Sequence, residues 1–301
     1  MSFYSDLSAI AGQENIEENV SFRKLTTFMA GGNARWFVSP ASEETLRKLL
    51  SFLNEAHVPY FLLGRGANVL ASDRGYEGVI VSLRKHFSDV VCDGPYLRAG
   101  AGALMADVSK AALDHGLTGL EFMSGIPGTV GGGLFMNAGA YGGEIKDVTV
   151  SVRILEKDGA VRTVANEEMG FSYRHSALSE NGAVALEAVL KLQEGDPDVI
   201  RLRMQELNAK RKEKQPLEYA SAGSTFKRPA GHYAGALIEE AGLKGFRIGN
   251  AGVSEKHAGF VVNYKDASAD EIYGVIRHVQ DEVLRHSGIL LEREVRLLGE
   301  F

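Results

Sequence analysis

The sequence predicts an α+β protein, a mixed α/β fold in which a smaller domain follows a larger one. Three observations predict it: segments with helical spacing of apolar residues alternate with short strand-like runs, glycine-bearing turns separate several of them, and a basic run at 210–216 marks a boundary. The 301-residue chain is long enough to bury a core, and its hydrophobic (45%) and charged (24%) fractions are those of an ordinary globular protein.

The first elements form a predicted β-α-β unit. In chain order they are a polar N-terminal helix, a strand at 34–40, a helix at 41–58, a strand at 59–64, a glycine-bearing turn at 64–70 and a strand at 78–83. The helix has Ser42 as its predicted N-cap and leucines at helical spacing: Leu46, Leu49, Leu50 and Leu53. The turn follows the carboxyl end of the second strand, where ligands tend to bind in such units.

A second block of elements follows. It contains strands at 89–93 and 96–102, a helix at about 103–116, a glycine-rich stretch, and strands at 148–155, 160–164 and 183–192. A helix at about 198–212 then presents the apolar residues Val199, Ile200, Leu202 and Leu207 and ends in the basic run before Pro216.

A smaller helix-loop-strand-helix unit runs from there to about 287, and the chain closes with a predicted strand at 289–299. Charges stand at alternate positions of this strand, at Glu292, Glu294 and Arg296, which is typical of an exposed strand face.

Composition excludes several classes of protein. The net charge of −6 argues against nucleic-acid binding, because polyanion binders usually carry a basic surface. Cys92 is the single cysteine, which rules out an intramolecular disulfide, and the scattered histidines predict no metal site. The sequence shows neither a signal peptide nor an apolar run long enough for a membrane helix, so a soluble, cytoplasmic protein is expected. Oligomeric state is left open.

The stretch between Glu121 and Glu144 is the most informative segment. It contains eight glycines and no charged residue, yet it also has large apolar residues such as Ile126 and Phe135. A flexible linker would lack those apolar residues, whereas glycine lets backbone N–H groups approach phosphate oxygens. We therefore predict a backbone cradle for a large phosphorylated ligand.

The GRGANVL turn at 64–70 is ambiguous by itself. Leu70 stands where a dinucleotide fingerprint needs its third glycine, and the chain has no GxxxxGK[ST] motif. An isolated pair of glycines here is explained by a tight turn, and the ligand interpretation gains weight only from the second glycine stretch.

Three polar residues are candidates for chemistry. Ser224 lies in the AGSTFKRP segment, Arg174 in FSYRHSAL and Glu294 in LEREVRLL. From sequence alone the commoner explanation is a helix or anion cap for Ser224, a surface ion pair for Arg174 and an exposed strand face for Glu294. As the functional alternative, an arginine would fix a substrate carboxylate and a buried carboxyl would act as an acid or base.

Together these segments resemble the UDP-N-acetylenolpyruvoylglucosamine reductase (MurB) family, over nearly the whole chain. The motifs that carry the resemblance are TTFMAGGNARWFVSP, LLGRGANVL, GLEFMSGIPGTVGGGLFMNAGAYGGEI, FSYRHS, SAGSTFKRP and LEREVRLLG. The compact C-terminal region resembles the shorter subtype, which lacks an extra tyrosine-bearing loop.

The resemblance implies a two-subdomain FAD-binding fold of the vanillyl-alcohol-oxidase (PCMH) type with a smaller α+β substrate-binding domain. Residues 1–200 would form the FAD domain, with a subdomain boundary near 83 and completion by 289–301, and residues 201–288 the substrate domain. FAD would be held non-covalently by Gly64, Arg65, Gly66, Ala67, Asn68, Val69, Ser124, Gly125, Ile126, Pro127, Gly128, Thr129, Gly131, Gly132, Asn137, Gly139, Ala140 and Gly143. Ala67 stands where many relatives have serine, which removes a hydroxyl contact but not the backbone contacts.

The family reaction implies NADPH as the co-substrate that reduces FAD, and a UDP-sugar whose enolpyruvyl group is then reduced. Arg174 and a protonated Glu294 would stabilise the enolate, and Ser224 would donate the proton, with Lys227 as a candidate neighbour that supports it. Tyr173, Lys214 and Arg228 are the implied substrate-binding residues.

Two further hypotheses stay open at the level of sequence. Another FAD oxidoreductase of this fold, acting on a different carboxylate or alcohol, would keep the glycines without needing all three catalytic candidates. A non-catalytic nucleotide-binding module would need none of the three.

Overall fold

The computed structural model describes residues 3–301, and it confirms the predicted mixture of helices and strands. The α-helices among these residues are α1 (Phe3–Ala11), α2 (Phe22–Leu25), α3 (Glu43–Glu55), α4 (Met105–Asp114), α5 (Val130–Met136), α6 (Leu178–Asn181), α7 (Pro197–Lys214), α8 (Ala234–Glu240) and α9 (Ala269–Ser287). Single 3-10 turns lie at Gln13–Asn15, Glu121–Met123, Ile145–Asp147 and Asn166–Met169.

The strands are short, and many have only two or three residues. They are β1 (Ile16–Ser21), β2 (Asn33–Val38), β3 (Tyr60–Leu62), β4 (Val69–Ala71), β5 (Tyr76–Val81), β6 (Val90–Asp93), β7 (Tyr96–Gly100), β8 (Leu117–Thr118), β9 (Gly139–Ala140), β10 (Gly143–Glu144), β11 (Thr149–Leu155), β12 (Val161–Ala165), β13 (Val184–Lys191), β14 (Gln193–Glu194), β15 (Ala220–Ser221), β16 (Arg247–Ile248), β17 (Ala251–Val253), β18 (Val261–Asn263) and β19 (Arg296–Leu298).

The chain divides into two compact units. The first comprises the described residues up to Glu17, then Phe37–Arg65 and Val79–Lys210; the second comprises Glu18–Trp36, Gly66–Gly78 and Arg211–Phe301. Both units are therefore discontinuous in sequence.

The first unit contains an antiparallel sheet of five strands in the order β12-β11-β13-β7-β6. Its register pairs Val152 with Ala188 and Ala188 with Ala99 across the three central strands. These three residues are fully buried, and because paired side chains lie on the same face of a sheet, they mark a covered face of this one. Helix α5 packs against β13 and β7, which places the glycine-rich stretch on this sheet.

The predicted amphipathic helix of the first unit is confirmed as α3. Ser42 is its N-cap and its hydroxyl accepts a hydrogen bond from the Thr45 N–H at 3.2 Å, while the four predicted leucines are buried. The following strand β3 pairs in parallel with β5, as the β-α-β pattern predicts.

The second unit is built around α9. A capping box between Ser268 and Glu271 starts this helix, and Gly288, at φ 73°, ends it. Its buried face packs on the antiparallel sheet β15-β18-β17-β16 and on Phe28, Leu70 and Phe226 from three separate segments. The apolar core of this unit is therefore assembled from distant parts of the chain.

One expectation about secondary structure is wrong in detail, and two further features were not predicted. The strand predicted at 289–299 is a strand only in β19, which pairs in parallel with β4, so the alternating charges do not mark one strand face. Of the four apolar residues named in α7, Ile200 and Leu207 are buried, whereas Val199 and Leu202 are 62% and 64% exposed. The glycine stretch contains the helix α5, which its composition disfavours.

Within residues 3–301 no helix combines the length and the apolar character needed to cross a bilayer.

Candidate functional site

The loop that follows β3 presents a row of unused backbone donors. Among the described residues, the N–H groups from Gly64 to Ala67 donate no hydrogen bond to another protein group. Successive free N–H groups of this kind bind anions such as phosphate. The loop therefore fits the predicted phosphate contact.

Gly66 fixes the shape of this loop. Its φ is +68°, and a Cβ added there would lie 2.3 Å from the carbonyl oxygen of Leu25 and 2.7 Å from Thr26 Cα. Its own carbonyl accepts a hydrogen bond from the Thr27 N–H at 3.2 Å. Only glycine combines this left-handed conformation with so close a backbone approach.

Two arginines near the loop have no acidic partner. Arg65 is half-buried, and neither it nor Arg84 forms an ion pair or hydrogen bond with a described side chain. Burial and the nearby Arg65 guanidinium lower the pKa of Arg84 below its ordinary value. Two neighbouring cations without a carboxylate are suited to an anionic ligand; sequence reasoning singled out Arg65 but not Arg84.

The glycine stretch serves two purposes in the structure. At five of its glycines the protein's own atoms fill the space that a Cβ would need, within 3.1 Å: Gly128, Gly131, Gly133, Gly139 and Gly143. At Gly132 the nearest atom would be Thr129 Oγ1 at 3.5 Å, and at Gly142 nothing lies within 4 Å. Tight internal packing thus explains most of these glycines, and Gly132 and Gly142 leave backbone open to a ligand.

Thr129 connects the two glycine segments. Its hydroxyl caps α5 by accepting a hydrogen bond from the Gly132 N–H at 3.3 Å. The same hydroxyl lies 2.4 Å from the position of a Cβ on Gly64. Gly64, at the start of the loop after β3, and Thr129, at the start of α5, therefore lie side by side within the first unit.

Other predicted cofactor residues have structural partners. The Ser124 hydroxyl donates to the Glu121 carbonyl at 2.9 Å, and Val69 is buried at the start of β4. Asn68 donates from Nδ2 to the backbone carbonyl of Glu294 at 3.1 Å. Gly139, Ala140 and Gly143 lie in the hairpin β9–β10.

Tyr173 and Arg174 occupy the two central positions of a tight turn. The flanking Ser172 and His175 exchange both backbone hydrogen bonds, at 3.1 and 3.2 Å. Arg174 has φ +55°, a left-handed conformation that is uncommon for a residue other than glycine or asparagine. Its guanidinium lies 5.1 Å from the Tyr173 ring centroid.

In the second unit, Ser224 and Glu294 lie on two segments that pair in antiparallel fashion. Phe226 and Arg293 form a β-bridge, and the carbonyl of Thr225 accepts a hydrogen bond from the Glu294 N–H at 2.9 Å. Glu294 is therefore opposite the residue that follows Ser224. The two catalytic candidates, far apart in sequence, are brought together in one unit.

Thr225 anchors the serine segment. It is fully buried, its N–H donates to the Gly259 carbonyl at 2.9 Å, and its hydroxyl accepts from the Val261 N–H at 3.0 Å. The exposed Ser224 thus projects from a fixed backbone. Lys227, the candidate neighbour of Ser224, has its ammonium group paired with the Glu292 carboxylate.

The predicted substrate-binding cations lie on exposed parts of the second unit. Lys214 is the last residue of α7, and Arg228 places its guanidinium 4.4 Å from the ring centroid of Tyr233. The Tyr233 side chain is 65% exposed, so one face of this cation–π pair is accessible. Sequence reasoning missed Tyr233; an aromatic residue close after FKRP is too weak a signal.

A cleft of about 690 Å³ in the second unit contains no predicted site residue. It is lined by side chains of both charges, including Arg35, Asp73 and Glu77, and Arg35 is paired with Glu77 at 2.9 Å. Its mixed, self-compensated charge offers no basis for binding a diphosphate. Among the described residues no cluster of His, Cys, Asp or Glu has the makeup of a metal site.

Two family models match the chain. Residues 34–165 match the FAD binding domain, and residues 215–298 match the C-terminal domain of UDP-N-acetylenolpyruvoylglucosamine reductase. The first range includes the loop after β3 and the glycine stretch, and the second includes Ser224 and Glu294.

Individual proteins give the same result. A UDP-N-acetylenolpyruvoylglucosamine reductase of Clostridioides difficile (strain 630) is 46% identical over 297 residues, which cover 99% of this chain and 98% of the relative. The crystal structure of UDP-N-acetylenolpyruvylglucosamine reductase (MurB) from Thermus caldophilus is similar with a TM-score of 0.82 and 36% identity, over 94% of this chain and 98% of that one.

A more distant solved structure shares the fold alone. A variant of Phl p 4, a glucose dehydrogenase, has a TM-score of 0.51 and 14% identity over 65% of this chain and 45% of its own.

Because near-identical length and high identity accompany the reductase matches, the chain belongs to the UDP-N-acetylenolpyruvoylglucosamine reductase family of FAD-dependent oxidoreductases.

Proposed function

We propose that this protein reduces the enolpyruvyl group of UDP-N-acetylenolpyruvoylglucosamine to give UDP-N-acetylmuramate, a step in the synthesis of peptidoglycan precursors, with NADPH as the electron donor. FAD, when bound, supplies the hydride transfer, taking it from NADPH and delivering it to the terminal vinyl carbon of the substrate. The observation that carries this proposal is family membership over 99% of the chain.

The backbone around Gly64 to Ala67 would hold the FAD diphosphate. Its N–H groups donate no hydrogen bond within the described protein, so they are available to phosphate oxygens, and Arg65 adds a positive charge. The Gly132 N–H is engaged with the Thr129 hydroxyl, so at Gly132 only the space left by the missing side chain is open to the cofactor. These residues fit a diphosphate by donor chemistry and by space.

The protein groups that act on the substrate must meet the charge that develops during reduction. Adding hydride to the terminal vinyl carbon leaves negative charge on the carbon that bears the carboxylate, and this charge is shared with the carboxylate as an enolate. Cations or hydrogen-bond donors stabilise such charge. Arg174 provides a guanidinium, and Glu294 provides a hydrogen bond if its carboxyl is protonated. Ser224 then donates its hydroxyl proton to the carbon that bears the carboxylate.

The paired segments support a joint role for Ser224 and Glu294. Thr225 is hydrogen-bonded to Gly259, Val261 and the Glu294 backbone, which removes freedom from both segments before substrate binds. A fixed donor at short distance compensates for the weak acidity of a hydroxyl. Lys227 supports Ser224 only indirectly, because its ammonium group is paired with the Glu292 carboxylate.

The substrate diphosphate lies on the smaller domain, proposed at residues 201–288. Lys214 contributes a point charge and Arg228 a planar fork, which suits a phosphate oxygen pair. Tyr173, which precedes Arg174 in the same turn, is a further contact of the substrate. We infer a cytoplasmic enzyme that binds no nucleic acid, since NADPH and UDP-sugars are cytoplasmic metabolites and the net charge is −6.

An anaerobic titration of the FAD-loaded protein tests this function. NADPH should bleach the flavin absorption band, and UDP-N-acetylenolpyruvoylglucosamine should restore it with one equivalent of substrate. UDP-N-acetylglucosamine, which lacks the enolpyruvyl group, is the matched control and should leave the flavin bleached. Restoration by another carboxylate or alcohol, but not by this substrate, would instead identify a different flavin oxidoreductase.

A further inference from the structure

The turn that carries Tyr173 and Arg174 is held from both sides by the end of α5. On one side, the Asn137 side chain donates from Nδ2 to the carbonyl of Ser172 at 3.0 Å. On the other, the Ser176 hydroxyl donates to the carbonyl of Phe135 at 3.0 Å. Asn137 and Ser176 are both fully buried, so these bonds are shielded from competing water.

Every polar atom of the Asn137 side chain is used inside the protein. Nδ2 also donates to Glu144 Oε2 at 3.2 Å, and Oδ1 accepts a hydrogen bond from the Lys146 N–H at 3.2 Å. Its backbone is left-handed, with φ +43°, at the C-cap of α5. The amide therefore links the helix end, the loop after β10 and the turn, and it has no donor left for a ligand.

The turn needs such support because of its own conformation. Arg174 has φ +55° at a position where a two-residue turn favours glycine or asparagine. A residue held in an unfavourable backbone conformation persists only when its surroundings determine it, and such residues cluster at functional sites. The hydrogen bonds made by the Asn137 and Ser176 side chains act as two braces on the turn. Without them the turn would relax and the Arg174 guanidinium would move.

We propose that Asn137 is a positioning residue for Arg174 and not a ligand of FAD, and that Ser176 acts with it as the second brace. This inference rests on the proposed function, in which Arg174 stabilises the enolate. Sequence resemblance alone predicts a cofactor contact for Asn137, and the two roles differ in the half-reaction that they affect. A brace on Arg174 affects reduction of the substrate, whereas a ligand of FAD affects cofactor binding.

The experiment uses the FAD-loaded full chain and measures the two half-reactions separately by anaerobic stopped-flow. Asn137→Ala should retain FAD and lose less than about threefold in the rate of flavin reduction by NADPH. Oxidation of the reduced flavin by UDP-N-acetylenolpyruvoylglucosamine should slow about ten- to a hundredfold, the loss typical of a misplaced catalytic group. Ser176→Ala removes the other brace and should give the same selective loss, more weakly.

Asn166→Ala is the matched control. This amide also binds two backbone carbonyls, those of Lys146 and Thr149, at 2.8 and 2.7 Å, but it does not touch the turn. It should lower stability without separating the two half-reactions. An equally selective loss in this variant would show that any loosening of the unit slows substrate reduction, and would overturn the inference.

A double-mutant cycle separates positioning from an independent role. In the Arg174→Ala background, Asn137→Ala should slow flavin oxidation by less than about twofold more, because residues that act through one group are non-additive. Multiplicative losses, or weak FAD binding in Asn137→Ala, would overturn the inference. If Arg174→Ala itself oxidised at the full rate, the proposed role of Arg174 would fail, and the inference with it. If Arg174→Ala slowed flavin oxidation by substrate and Asn137→Ala did not, the inference would be refuted while the proposed role of Arg174 would stand.

Discussion

Gly66→Ala tests whether the loop after β3 is shaped by its backbone contacts. The new Cβ would lie 2.3 Å from the Leu25 carbonyl oxygen, so the two segments must separate by roughly 1 Å to reach an ordinary carbon–oxygen contact. The left-handed φ of +68° costs an L-residue about 1–2 kcal/mol, and overpacking costs about 1–3 kcal/mol. Reduced freedom of the unfolded chain offsets about 0.4–1 kcal/mol.

The expected loss in the free energy of unfolding is therefore about 1–4.5 kcal/mol, measured by urea denaturation without FAD. Gly94→Ala is the matched control, because Gly94 has φ +54° but nothing within 4 Å of its Cβ position. It should cost at most about 1.5 kcal/mol, since only the conformational part applies. FAD affinity should fall about tenfold or more in Gly66→Ala, because the N–H donors shift. Equal stability of the two variants, with unchanged FAD affinity, would refute the reasoning.

Three other predictions concern the second unit. Ser224→Ala should leave flavin reduction by NADPH within about twofold and slow the reoxidation by substrate about a hundredfold or more, as loss of a general acid does; equal slowing of both half-reactions in stopped-flow would exclude that role. Arg228→Lys keeps the charge but loses the planar stacking on Tyr233, so KM for the UDP-sugar should rise about three- to tenfold while kcat changes little. An unchanged KM would remove Arg228 from the substrate site. Burial lowers the pKa of His257 below its ordinary value of 6.5, so the unfolded chain takes up this proton first and the free energy of unfolding should decrease as pH falls below that value. His257→Asn should flatten this part of the pH profile, and a profile identical to that of the unsubstituted protein would contradict the assignment.

The spacing of apolar residues in the sequence predicted helix α3 and its start correctly. The leucines of α3 and the N-cap Ser42 lie where the periodicity places them, because a helix of 3.6 residues per turn aligns such positions on one face. The same rule held only in part for α7, where Ile200 and Leu207 are buried but Val199 and Leu202 are exposed. Periodicity identifies an apolar face without showing whether another element covers it.

The sequence by itself determined the family, the flavin-binding class and the residue types at the proposed site, since ordered motifs and glycine placements are properties of the chain. Only the tertiary structure decided which polar groups are already engaged: Lys227 with Glu292, Asn68 with the Glu294 backbone, and Asn137 with the turn at Ser172. The physical reason is that the partner of a donor or acceptor can come from any distance along the chain, and that a fully buried group such as Asn137 must have one. Side chains of the same type therefore differ after folding, because some are bonded to other protein groups and others remain available to a ligand.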